Sequence, residues 1–225
     1  MVPLLLPLHA DPGNQPPPLT ADRLLTAWTF EPWAVFALVL MVGLYLWGVL
    51  RLRRRGVDWP LGRTLAWCVG GAGTIAVALL SVLGTYDTVL FSVHMVQHIL
   101  LSMVGPIMMA MGAPITLLLR NLGGLGRRRV MRVLHSWPVR VLTFAPLGAA
   151  LMIANPYLLY MTDLYEVSLA NPWVHAWVHV HFVVTGCIYY WPLIGVDPMP
   201  NRLPHFLRIF LIFITMPFSR ASVLA

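Results

Sequence analysis

Residues Phe91 to Arg120 read FSVHMVQHILLSMVGPIMMAMGAPITLLLR, and this stretch decides the fold. At about 1.5 Å of rise per residue it is long enough to cross a hydrocarbon core of roughly 30 Å. It also carries His94, Gln97 and His98 near its beginning. Imidazoles and an amide are expensive to bury in lipid, so ionisable residues inside a spanning segment point to function. His94 and His98 are four apart, which puts them on one helix face with about 6 Å between Cβ atoms. Two neutral imidazoles at that spacing can share a metal ion.

The composition agrees with a membrane setting. Of the 225 residues 59% are hydrophobic and 10% charged, with a mean hydropathy of +0.76. Soluble domains carry roughly 25% charged residues. The apolar runs are also too long for barrel strands, which alternate over about ten residues. The predicted fold is therefore all-α: a polytopic transmembrane helical bundle with about six spans, forming a single domain over 30–225. Residues 1–29, with Pro16, Pro17 and Pro18, form a non-helical external lead-in. They lack a positive n-region and do not read as a signal peptide.

Working outward, the spans are expected at about 33–50, 64–83, 91–120, 140–153 (extending towards Tyr160, with Pro146 inside), 172–194 and 204–218. Gly70, Gly71 and Gly73 offer a small-residue face on the second. Pro106 and Pro114 predict a bend or break in the third. Residues 155–171, with Asp163 and Glu166, read as a polar-aromatic loop. The net charge of +7 comes from arginine alone. The arginines gather after the first, third and fifth spans, leaving Arg23 and Arg220 opposite. That asymmetry makes those loops cytoplasmic and the N-terminus external. It speaks for topology and anionic-lipid contact, not for a nucleic-acid surface.

Orientation brings the histidines to one level. The third span enters from outside near Val89 and the fifth near Trp173, so His94 and His98 share a depth with His175, His179 and His181. His175 and His179 form a second i, i+4 pair, with His181 pointing roughly opposite. Asp87 lies seven residues before His94, on nearly its face, and is placed to fix a histidine tautomer. The sixth span runs outward and brings Met216 into the same half. Imidazole suits several transition metals and thioether selects copper(I), so the set leans towards copper. Met103, Met108, Met109 and Met111 lie deeper and read as packing. Cys68 and Cys187 read as small buried hydrophobes.

FSVHMVQHILLSMVGPIMMAMGAPITLLLR, LYLWGVLRLRRRG and HVHFVVTGCIYYWPLIGVDPMPNRLP, with the later MPF, resemble the CtaG family linked to caa3-type cytochrome c oxidase assembly. This family is distinct from the unrelated copper chaperone that shares the name. The resemblance implies a multi-pass protein of the bacterial plasma membrane that handles copper. Its partners would be an oxidase subunit or a copper-delivery protein, and it would catalyse no reaction. The family's histidines carry over to His94, His98, His175, His179 and His181. Members generally continue past the MPF block with a further histidine and a seventh span. Here Ser219 follows Phe218, so a truncated or altered C-terminal end is expected.

Two other readings compete with a copper-binding assembly factor. A b-type haem or redox membrane protein would use one histidine per helix, which leaves the doubled i, i+4 spacing unexplained. A copper or ion transporter would use the proline-broken helix as a path, but no inverted repeat is visible between the halves.

Overall fold

The structure, a computed structural model, describes residues 20, 23–87, 90–201, 203–204, 206–213 and 215. Among them there is no β-strand, and helices account for nearly every element. Three helices among the described residues are long and apolar enough to cross a membrane: α1 (Pro32–Arg54), α2 (Leu61–Tyr86) and α3 (Phe91–Asn121). They are followed by α4 (Gly124–Leu134), α5 (Trp137–Leu142), α6 (Ala145–Tyr160), α7 (Leu164–Ala170) and α8 (Pro172–Ile194). Residues 206–213 form a last helical stretch. Met216, expected on the sixth span, lies outside the described residues, as does most of the proline-rich lead-in.

Several boundaries differ from expectation. Pro146 sits in the first turn of α6 and starts that helix instead of interrupting it. A proline is tolerated there because its missing N–H would have no intrahelical acceptor. Pro156 is the proline inside α6. The expected 155–171 loop is the end of α6 followed by the short α7. The arginine segment 124–134 coils into α4, which has no buried residue.

The helix α3 is the centre of the bundle. Its middle, Gly105–Met111, packs against α2 on one side and α8 on the other. Lipid offers no hydrophobic drive between helices, so close backbone approach has to hold them. On the α2 side Met108 and Met109 seat on Gly70 and Gly71, where a Cβ on Gly71 would lie 2.6 Å from Met109 Cγ. On the α8 side a Cβ on Gly186 would run into Ser102 O and Pro106 Cγ. Pro106 has no N–H to offer Ser102 O four residues earlier, and Gly186 approaches this carbonyl. The deep methionines Met108 and Met109 thus act in packing.

The spanning helices are irregular at several points. In α3 the turn Leu100–Val104, two residues after His98, is a π-helix, and α2 has a similar segment over Ala66–Ala72. Ala113, fully buried, takes the left-handed conformation with φ 51°, and Pro114 restarts the helix. Asp197, from the loop after α8, holds that break. Its Oδ1 accepts from Thr116 N at 2.7 Å and from Thr116 Oγ1 at 2.6 Å. Its Oδ2 accepts from Ile115 N at 3.3 Å and Trp191 Nε1 at 2.9 Å. A carboxylate at a helix start satisfies orphan N–H groups and complements the dipole.

At the end of the bundle away from most of the arginines, α2 breaks at extended Ser81. The carbonyls just before a break lose their helical donors. Three are taken up from outside the helix: Leu80 O by Thr29 N at 2.9 Å, Leu79 O by Thr29 Oγ1 at 3.3 Å, and Ala78 O by Gln97 Nε2 at 3.0 Å. Gln97 is thereby locked in place beside the histidines.

Candidate metal centre

The start of α3 supplies His94, Gln97 and His98, and the start of α8 supplies His175 and His179. Asn171 caps α8 by accepting from Trp173 N at 2.9 Å and Val174 N at 3.4 Å, which fixes where its first histidines fall. The two i, i+4 pairs face each other. Ring centroids are 4.1 Å apart within His94–His98 and 4.4 Å within His175–His179. Across the helices they are 6.0 Å apart for His94–His175 and 5.9 Å for His98–His179. His94 is 1% exposed and Gln97 fully buried.

Asp87 joins this cluster, but against the other helix from the one its spacing suggested. Its Oδ2 lies 3.4 Å from His175 Nε2 and 4.0 Å from His179 Nε2. Asp87, His175 and His179 each present a ligand atom within 4.8 Å of the others. Gln97 Nε2 donates to Asp87 Oδ2 at 3.1 Å. With both its donors directed to Asp87 and Ala78 O, the amide turns Oε1 to His179 Nε2 at 3.1 Å. That arrangement assigns the His179 proton to Nε2, because a carbonyl oxygen only accepts.

Several ring nitrogens have no such partner. His98 Nε2 and both ring nitrogens of His94 are buried without a hydrogen bond, although the Asp87 backbone lies beside the His94 ring, and His175 Nε2 has only the Asp87 carboxylate at 3.4 Å. Leaving a polar atom buried and unsatisfied costs about 1–3 kcal/mol, so a group of them calls for a reason. Lone pairs on neutral imidazoles beside one carboxylate are a donor set that fits a transition-metal cation.

His181 is not brought to this cluster. It points to α6, where its Nε2 lies 3.1 Å from Asn155 Oδ1. Asn155 Nδ2 donates to Thr185 Oγ1 at 2.8 Å, and that hydroxyl donates back to His181 O. His181 therefore belongs to a closed network between α6 and α8. The α8 periodicity already turns it from His175 and His179, whereas its partner Asn155 falls where the polar and aromatic residues predict a loop.

The surroundings are aromatic on one side and open on the other. Phe182 stacks on His98 at 4.3 Å, and Tyr165 meets the edge of His94 at 5.4 Å. On the other side lies a cavity of about 260 Å³ lined by Glu31, Asp87, Gln97, His175 and His179.

The family model for the cytochrome c oxidase caa3 assembly factor, CtaG, matches residues 43–223. The chain belongs to that family. The match covers both histidine-bearing helices. Similar proteins include uncharacterised proteins of Mycobacterium bovis and Mycobacterium tuberculosis, each 40% identical over 210 residues. A third, from Mycobacterium leprae, is 37% identical over 213 residues. In each case the match covers 90% of this chain and 32% of the relative. The chain thus spans about a third of the length of these curated relatives. No solved structure matches it. The family is described as one of assembly factors, which is not an enzymatic role.

Proposed function

We propose that this CtaG-family protein binds copper at the Asp87 and histidine cluster and assists its delivery to a cytochrome c oxidase subunit. Its setting is the bacterial plasma membrane, with the site on the external side. The observation that carries the reading is the convergence of His94, His98, His175 and His179 with Asp87, several of their ring nitrogens buried without a hydrogen bond. Imidazole donors accept copper, and a single carboxylate offsets the charge of the incoming ion. The family membership supports the destination, since an oxidase assembly factor acts on an enzyme whose centres must be filled. The arginine asymmetry supports the external side.

The protein's own residues would do three things. The two pairs would hold the ion by ligand exchange, Gln97 would orient Asp87 and His179, and the aromatic rings would keep water from the buried pair. The test is elemental analysis with copper(I) titration of purified protein beside a His94→Ala/His98→Ala/His175→Ala/His179→Ala variant. Near-stoichiometric copper in the parent, lost in the variant, is the expected outcome. No copper in folded parent protein would sink the reading.

A further inference from the structure

The cluster divides into two unlike halves. Asp87, His175 and His179 share one metal-sized space and line the cavity, whereas His94 and His98 belong to neither. The cavity reaches the molecular surface at Glu31, which is exposed. His94 and His98 lie behind it, under Phe182 and Tyr165; Asp87, His98 and His179 are equally buried, at 5%, 5% and 6% exposed, and it is the cavity lining that separates the halves.

We propose that Asp87, His175 and His179 form a receiving station for the cargo cation, and that His94 and His98 form a second, enclosed station to which the ion is passed. This rests on the metal-handling reading above and assigns a route within it. The chemistry of the two stations differs in the direction such a route needs. A carboxylate with two imidazoles accepts copper(I) from a carrier ligand, because the carboxylate offsets the ion's charge while the carrier still fills an open position. A pair of neutral imidazoles under aromatic rings suits a monovalent copper ion of low coordination number.

The distance is short enough for direct exchange. Rings of the two stations are 5.9–6.0 Å apart, centre to centre. Each metal–nitrogen bond made at His94 or His98 then replaces one broken at His175 or His179, the Asp87 oxygen is released last, and the His179 Nε2 proton given up to solvent on loading returns. The ion keeps its charge throughout and needs neither oxidant nor reductant. Glu31 acts before either station, raising the local cation concentration at the cavity mouth.

The experiment uses the purified protein in detergent, with copper(I) supplied from a chromophoric chelator. Stopped-flow loading and X-ray absorption at the copper edge are recorded for parent, Asp87→Asn, Glu31→Gln and His94→Ala/His98→Ala. In the parent, loading is expected to end in a nitrogen-only environment. Asp87→Asn is expected to load about tenfold more slowly with final affinity nearly unchanged. Glu31→Gln, an exposed change that leaves the fold alone, is expected to load a few-fold more slowly, with the effect fading at high salt. His94→Ala/His98→Ala is expected to retain copper with an oxygen scatterer from Asp87. Loss of all copper in that variant, or parent-like loading in both acid variants, would overturn the two-station route while leaving a single copper site intact. A parent that takes up no copper removes both.

Discussion

The 3.1 Å contact between His179 Nε2 and Gln97 Oε1 ties the two histidine-bearing helices together at the level of the metal centre. The same amide reaches Ala78 O and Asp87 Oδ2, so one side chain links α2, α3 and α8. Gln97→Leu should leave a carbonyl, a carboxylate and an imidazole without their partner. The expected loss is at least about 2 kcal/mol, read as a lower thermal midpoint in detergent. An unchanged midpoint would mean that water replaces the amide.

Metal binding at His179 Nε2 requires that nitrogen to give up its proton and its bond to Gln97. Gln97→Ala is therefore expected to slow copper loading, by a factor within the range of about 10–100-fold typical of residues that orient a ligand. Stopped-flow loading from a copper(I) chelator measures it, with circular dichroism as the control for fold.

The position of His181 separates it from its neighbours. His181→Ala should keep the copper stoichiometry of the parent and lose about 1 kcal/mol of stability, because only the Asn155 network is opened. His175→Ala/His179→Ala should leave the Asn155 network closed and slow copper loading sharply. Stopped-flow loading and a thermal scan on the same preparations distinguish the two.

At the opposite end of the bundle, Asp197→Ala removes the acceptor for Thr116, Ile115 and Trp191. We expect about 2 kcal/mol of destabilisation with copper stoichiometry unchanged in the protein that remains folded. Loss of copper binding by folded Asp197→Ala would mean that the two ends of α3 are coupled.

Close packing gives the most severe expectation. Gly186→Ala would push a methyl group into Ser102 O and Pro106, where backbone must move to make room. About 3 kcal/mol of destabilisation is expected, visible as poor recovery of monodisperse protein in detergent. A parent-like yield and midpoint would show that α8 can step away from α3 at little cost.

Much of this molecule is determined by local sequence. Apolar runs of spanning length, almost free of charge, leave the helix as the main way to satisfy the backbone, so α1, α2 and α3 fall where hydropathy puts them. The i, i+4 spacing of His94/His98 and His175/His179 fixes each pair on one face whatever the rest of the chain does. Tertiary structure alone decided how the pairs combine. Which helix Asp87 would face depended on the break at Ser81, and Gln97 acquired its role only because that break left Ala78 O without a donor. His181 and Asn155 are 26 residues apart in sequence, and Asp197 and Thr116 are 81 apart. No periodicity reports such pairs, because a polar group in an apolar span shows that it needs a partner without showing which one. The division of the cluster into an open and an enclosed half likewise arises from how α3 and α8 pack, with Phe182 and Tyr165 covering one pair and the Glu31 cavity exposing the other.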